Sequence, residues 1–343
     1  MLNKIFPFQK TMQDSDLYPL FPARHRIWAI GGGKGGVGKS LITCNFGVLL
    51  SRIGKKVLLI DGDVGAANLH TLLGSDGGKC TLSSFIKGEI PDIRPLIHKT
   101  YIPRLDLISG AKDITDVADL GGAWIERLKK ALNSLEYEYI LLDLGPGTSS
   151  NILDLFLVAE EGILVTTPDP TSVENSYRFL KSIFLRQIKR TIDYDREGIL
   201  RDLLKGIFGE NGGFRSMTIA DIRAQLRRMD TKYGLTLEKI VGSTNISIVI
   251  NQVKKSEDQR IGHLMGKACQ DYFGVRVECL GHICYEDCAG DSIRYRRPLV
   301  VHYTHSEAAK AVVICLNQMR EIEKRRLDLA PMQMIRKAGA SNW

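Results

Sequence analysis

Short apolar runs alternate with longer amphipathic stretches along most of the chain. The apolar runs at 26–30, 56–60, 104–108, 139–143, 162–166, 246–251 and 276–282 predict strands. Several, such as VLLI, YILLDL and ISIVI, are nearly continuous, as strands covered on both faces are. Between them, helical periodicity predicts helices over 40–53, 123–134, 149–159, 173–187 and 259–273. Strand–helix alternation of this kind implies right-handed crossovers and a doubly wound, mostly parallel α/β sheet. Such sheets bind ligands at the carboxyl ends of their strands. The informative loops should therefore follow the strands directly.

Three stretches break the rhythm. Residues 1–24 form a lead-in with Pro7, Pro19 and Pro22 and no helical period. Between 188 and 245 helical patterns run without a strand, including GILRDLLKGIF and MTIADIRAQLRRMD, which predicts an inserted helical subdomain. Within a main domain over 25–327, that insertion is the one foreign part, and residues 328–343 form a C-terminal tail interrupted by Pro331.

Composition narrows the class. A chain of 343 residues with 44% hydrophobic content can bury a large core. Its seven cysteines show no small-scaffold spacing, which fits a reducing cytoplasm better than a disulfide framework. No apolar run is long enough to span a bilayer, and the N-terminal stretch, with Asp14 and Asp16, does not read as a secretory signal. The net charge of +8 leaves open a basic surface for nucleic acid or acidic lipid, carried by clusters such as RQIKR, RYRR and EKRR, or simple solubility. The stretch AKAVVICLNQMREIEKRRLDL is amphipathic, suiting either a membrane-surface helix or one packed on the core.

The chemistry concentrates at residues 31–40, GGGKGGVGKS, directly after the first strand. Gly31, Gly33 and Gly36 fit the dinucleotide spacing, but Gly33–Ser40 fits the longer and more specific G-x-x-x-x-G-K-[ST] pattern. Gly33, Gly35, Gly36 and Gly38, with Val37, let backbone N–H groups converge on phosphate oxygens at a helix N-terminus. Lys39 can reach the terminal phosphates, and the Ser40 hydroxyl is placed to ligate Mg²⁺. This predicts a nucleoside triphosphate site.

The second lysine, Lys34, is not needed to cradle phosphate. KGGVGKS resembles the deviant phosphate loop of the ParA/MinD ATPases, in which this early lysine reaches across a dimer interface to the partner's nucleotide. DGDVGAANLHTLLG, YILLDLGPG, VTTPDPTSVENSY and the segment from Ile248 to about Ala311 resemble further segments of that group. The resemblance implies a MinD-like P-loop fold, ATP and Mg²⁺ as ligands, and an ATP-dependent homodimer. It makes Asp63 the water-positioning acid, with Asp61 beside it in the first switch, although both would also serve as helix caps. Asp143 ends the strongest strand as a Walker-B acid does, suited to Mg²⁺ through a water, and Gly145 and Gly147 free the second switch to sense the γ-phosphate. Asn251 is the group's adenine reader, or else a turn asparagine, and Asp287 lies where the base pocket closes.

DLGPG and TTPDPTS are closest to the flagellar-number regulator FlhG, while the lead-in lacks that branch's activator stretch. The resemblance therefore implies an ATP-hydrolysing switch that positions a cellular structure of flagellar, division or partitioning type. It would act in the cytoplasm, at the inner membrane face or on DNA, with the insertion as a protein-docking part. Two alternatives stay open: an amide ligase of cobyrinic acid type, and an iron–sulfur carrier. For the latter, Cys279, Cys284, Cys288 and His282 supply ligand types at a non-standard spacing.

Overall fold

The computed structural model describes residues 26–63, 67–76, 80–110, 123–193 and 245–339, with single positions between 221 and 235. Eight strands form one sheet: β1 (Arg26–Gly31), β2 (Val57–Gly62), β3 (His98–Lys99), β4 (Leu105–Ile108), β5 (Tyr139–Leu144), β6 (Glu161–Thr166), β7 (Asn245–Val253) and β8 (Glu278–Cys284). Their order is β3-β4-β2-β5-β1-β6-β7-β8, and every pairing is parallel except the short β3 on β4. The expected fold class is thus observed, with each expected strand present.

Successive side chains of a strand point to opposite faces, and the core divides accordingly. On one face lie Ile27, Ala29, Leu58, Ile60, Ile140 and Leu142. They are covered by α3 (Leu82–Lys87), α4 (Ala123–Asn133), α5 (Ser150–Phe156), α6 (Pro170–Asp193) and α7 (Ile261–Phe273). On the other lie Trp28, Ile30, Val57, Leu59, Tyr139 and Leu141. Their cover is α1 (Lys39–Arg52), α2 (Leu69–Leu72), α9 (Leu299–His302) and α10 (Glu307–Gly339), with α8 (Asp287–Arg294) before α9. Trp28 is fully buried, edge-on to Tyr139 at 5.1 Å and to Phe46 at 6.4 Å. Burial of a side chain of this size is worth about 2–3 kcal/mol.

Boundaries follow local chemistry. Pro170 starts α6 three residues before the expected position, because its fixed φ suits the first helical turn. Gly274, at φ 70°, ends α7. Strand β8 pairs from Glu278, later than the expected 276, and helix α10 continues past Pro331 to Gly339. The lead-in over 1–24 lies outside the described residues. So does the expected insertion over 188–245, apart from the end of α6, a few single helical positions and Asn245. No helix among the described residues is long and apolar enough to cross a membrane.

The chain leaves β1 toward β2 on one side and reaches β6 on the other, so strand order reverses beside β1. Loops leaving β1 and β5 part to opposite faces there, into α1 and α5. A crevice at such a switch point is where doubly wound sheets bind ligands.

Candidate functional site

The glycine loop lies at that switch point, between the end of β1 and the start of α1. Its glycines have structural reasons. At Gly33 a Cβ would stand 2.1 Å from the Asn175 carbonyl oxygen of α6. Gly38 combines φ 97° with the Asn251 amide, 2.2 Å from where its Cβ would be. The loop therefore packs against α6 at Gly33 and against the end of β7 at Gly38, with no room for a side chain at either position.

Lys39 is the first residue of α1, and its ammonium folds back to donate to the Lys34 carbonyl at 3.3 Å. Burial lowers its pKa, and the charges of Asp143 and Asp63 oppose that shift. Lys34 itself points to α6 and donates to the Thr171 hydroxyl at 3.1 Å, in an exposed contact.

Two carboxylates stand side by side at the ends of neighbouring strands, since Asp61 of β2 is in register with Asp143 of β5. Both are buried, but their partners differ. Asp61 accepts backbone N–H bonds from Asp63 at 3.2 Å and from Leu69 at 3.0 Å, so it caps α2 and ties down the loop after β2. Burial raises it to about 6, against those backbone bonds. Asp143 accepts from the Thr43 hydroxyl at 3.0 Å through Oδ1, whereas its buried Oδ2 has no hydrogen-bond partner in the protein. Burial, then the Asp61 charge, lift Asp143 to about 7, with the Ser40 and Thr43 hydroxyls and Lys39 opposing. A buried carboxylate oxygen without a donor is costly in a finished core and suits an incoming cation or its water.

Asp63 sits apart from this pair. Its Oδ1 lies 2.8 Å from where a Gly145 Cβ would be, so the loops after β2 and β5 meet there. Burial raises its pKa and Lys39 counters the rise. Gly147 holds φ 97° in the same loop, and Pro146 comes within 4.0 Å of the Cβ position of Gly35.

From β7, the buried Asn251 donates its side-chain amide to the Val37 carbonyl at 2.8 Å, and Gln252 donates to the Gly36 carbonyl at 2.9 Å. Asp287 opens α8 after β8, exposed at the same edge of the sheet but at its far strand. The structure thus brings Lys34, Lys39, Ser40, Asp61, Asp63, Asp143, Gly145, Gly147 and Asn251 around one loop, and leaves Asp287 at the margin.

Sequence reasoning missed Thr43, Thr171 and Gln252. Thr43 follows Lys39 by one helical turn, a readable signal once the end of β5 is known to face α1. Nothing local marks the other two. Cys279, Cys284 and Cys288 do not gather: among the described residues no group of three or more His, Cys, Asp or Glu could hold a metal ion.

The chain is similar to known nucleotide-binding proteins. A family model described as the CobQ/CobB/MinD/ParA nucleotide binding domain matches residues 28–299. The septum site-determining protein MinD of Synechocystis is 32% identical over 157 residues, covering 46% of this chain and 58% of that protein. The chain thus spans less than two thirds of that relative's length. Among solved structures, MinD of Pyrococcus horikoshii complexed with Mg-ADP superposes with a TM-score of 0.59 at 23% identity. That match covers 87% of this chain and 97% of the other. McdA of Cyanothece, solved as an ATP complex, gives 0.56 at 16% identity over 87% and 97% of the two chains. Both likenesses extend to the sheet and its helices.

Proposed function

The chain belongs to the CobQ/CobB/MinD/ParA nucleotide-binding family, and we propose that it is an ATP-hydrolysing switch that dimerises on ATP and positions a cellular structure. The observation that carries this reading is Asp143, buried with one unpartnered oxygen beside Lys39 and Ser40 at the end of β5. That arrangement fits Mg²⁺ arriving with a nucleotide, with Ser40 as a direct ligand and Asp143 acting through its hydration shell. When bound, the ion neutralises charge on the terminal phosphates.

The chain's own residues do the rest. Lys39 exchanges the Lys34 carbonyl for phosphate oxygens, while the N–H groups from Gly33 to Ser40 hold the phosphate chain. Asp63 orients the attacking water, a task that the half-buried carboxylate over Gly145 can perform without holding the metal. Asn251 has spent one N–H on Val37, so it offers its carbonyl oxygen and second N–H to the adenine edge, with Asp287 bounding the base end. Lys34 leaves Thr171 for the γ-phosphate of a facing subunit, where a cation stabilises developing charge as an arginine finger does.

The finer placement rests on the stretches DLGPG and TTPDPTS, which support the flagellar-number branch, whereas the Synechocystis relative carries a division-site name. Residues 188–245 serve as the partner-docking part. The work is done at the cytoplasmic face of the membrane or on DNA.

Light scattering with ATP and with a non-hydrolysable analogue tests the switch, beside ATPase rates over a protein concentration series. Wild type should pass from monomer to dimer, and its turnover per subunit should rise with concentration. Lys34→Ala should bind ATP and lose both effects. A wild type that stays monomeric with a constant rate per subunit refutes the switch.

A further inference from the structure

Asn251 and Gln252 are consecutive residues of β7, and in a regular strand their side chains would point to opposite faces of the sheet. Here both donate to the same loop, to the Val37 and Gly36 carbonyls at 2.8 and 2.9 Å. Two backbone features make this possible. Gln252 adopts φ 57°, a left-handed conformation that side-chain-bearing residues seldom take outside Asn and Asp. The pairing of β7 with β8 also slips between Ile250 and Val253, as a bulge does when it re-aims a side chain.

The consequence falls on the loop. A trans peptide is planar, with its C=O and the following N–H pointing in opposite directions. Fixing the Gly36 oxygen toward Gln252 turns the Val37 N–H away from β7. Fixing the Val37 oxygen toward Asn251 turns the Gly38 N–H the same way, and the left-handed Gly36 and Gly38, at φ 77° and 97°, turn the chain on either side of this pair of peptides. Two adjacent amides are thereby aimed away from the strand, as an anion-binding nest requires.

We infer that Gln252 is a positioning residue for the phosphate loop: with Asn251 it clamps two consecutive peptide planes so that the loop's N–H groups face the phosphates before nucleotide arrives. This rests on reading the loop as a nucleotide site. The strain at Gln252 is the backbone cost of placing its donor, which is why strained residues gather at such sites.

The test is Gln252→Gly, which accepts the left-handed backbone and deletes the donor. Gln252→Glu serves as a companion of equal length without the donor. Hydrogen exchange of the segment 33–40 is followed in nucleotide-free protein, and Mg·ATP and Mg·tripolyphosphate are titrated separately. In both variants exchange of the loop should rise about five- to tenfold, the factor expected for one lost hydrogen bond. In Gln252→Gly both ligands should bind about tenfold more weakly, while the melting temperature of the ligand-free protein stays level or rises. Unchanged exchange in both variants overturns the clamp. Exchange that rises while affinity for both ligands holds refutes a positioning role, and weakening for ATP but not for tripolyphosphate would make Gln252 part of the base pocket. If wild type itself binds neither ligand, the nucleotide reading fails and the phosphate-positioning role falls with it. The loop-exchange result then separates a purely structural clamp from no clamp at all.

Discussion

The sheet buries carboxylates at both of its ends, and the two ends treat them differently. At the amino edge, Glu323 of α10 accepts from Trp28 through one oxygen and from Arg26 and Tyr139 through the other. Beside it, Glu161 accepts from Asn245 and pairs with Arg326 of the same helix. Every oxygen of that pair of acids is bonded, and two arginines of the chain supply the opposite charge. At the carboxyl edge, Asp143 keeps a buried oxygen with no partner, and the cation near it is Lys39, turned to a backbone carbonyl. A buried network that the chain completes by itself fixes structure, in this case the seat of α10 on the sheet. A buried network left one charge short is a binding site awaiting its ligand.

The strongest way to break this comparison is at the amino edge. Glu323→Ala leaves the Trp28 N–H and the Tyr139 hydroxyl without their acceptor and Arg26, which keeps the Tyr139 oxygen, without its counter-charge, and should cost about 3 kcal/mol in urea unfolding. The affinity of the folded variant for ATP should not change. A cost below about 1 kcal/mol, or a loss of affinity without loss of stability, would mean that the two edges are not separate in function.

A smaller effect sharpens it through pH. Burial lifts Glu161 to about 7, with the Arg326 charge opposing and Glu323 and Glu160 adding to the rise. Between the ordinary carboxylate pKa and about 7, folded protein holds a proton there that the unfolded chain has released. Stability from this group is therefore present at low pH and lost as pH climbs through that window. Glu161→Gln should flatten the decline between pH 5 and pH 8 by about 2 kcal/mol, measured by denaturant unfolding at each pH. A wild-type curve that rises with pH and flattens in the variant would show that the Arg326 pairing outweighs burial.

These two edges were unequally legible in the sequence. The glycine loop could be read because each of its residue types has a local job, and the strands because their apolar runs lack alternation. That Asp61 and Asp143 each follow an apolar run could be read, but their register side by side could not, because the order of β2 and β5 in the sheet is not a local property. The amino-edge network could not be read, since Glu161 and Arg326 lie 165 residues apart and neither breaks a local pattern. Gln252 and Gly36 are separated by 216 residues, and their contact depends on a backbone conformation that glutamine does not advertise. Short elements such as Leu69–Leu72 escaped because one helical turn carries no measurable period.

Asp143, on this account, carries a charge that the chain leaves for a cation arriving with the nucleotide. Urea unfolding of wild type and of Asp143→Asn, each alone and with saturating Mg·ATP, tests that most directly. Alone, the variant should be more stable than wild type by about 1–2 kcal/mol, because a buried charge that Lys39 and the two hydroxyls only partly offset is removed while the Thr43 bond keeps its acceptor. With Mg·ATP, wild type should gain stability and the variant should gain much less. A variant that is less stable alone and yet gains as much from Mg·ATP as wild type would contradict the account.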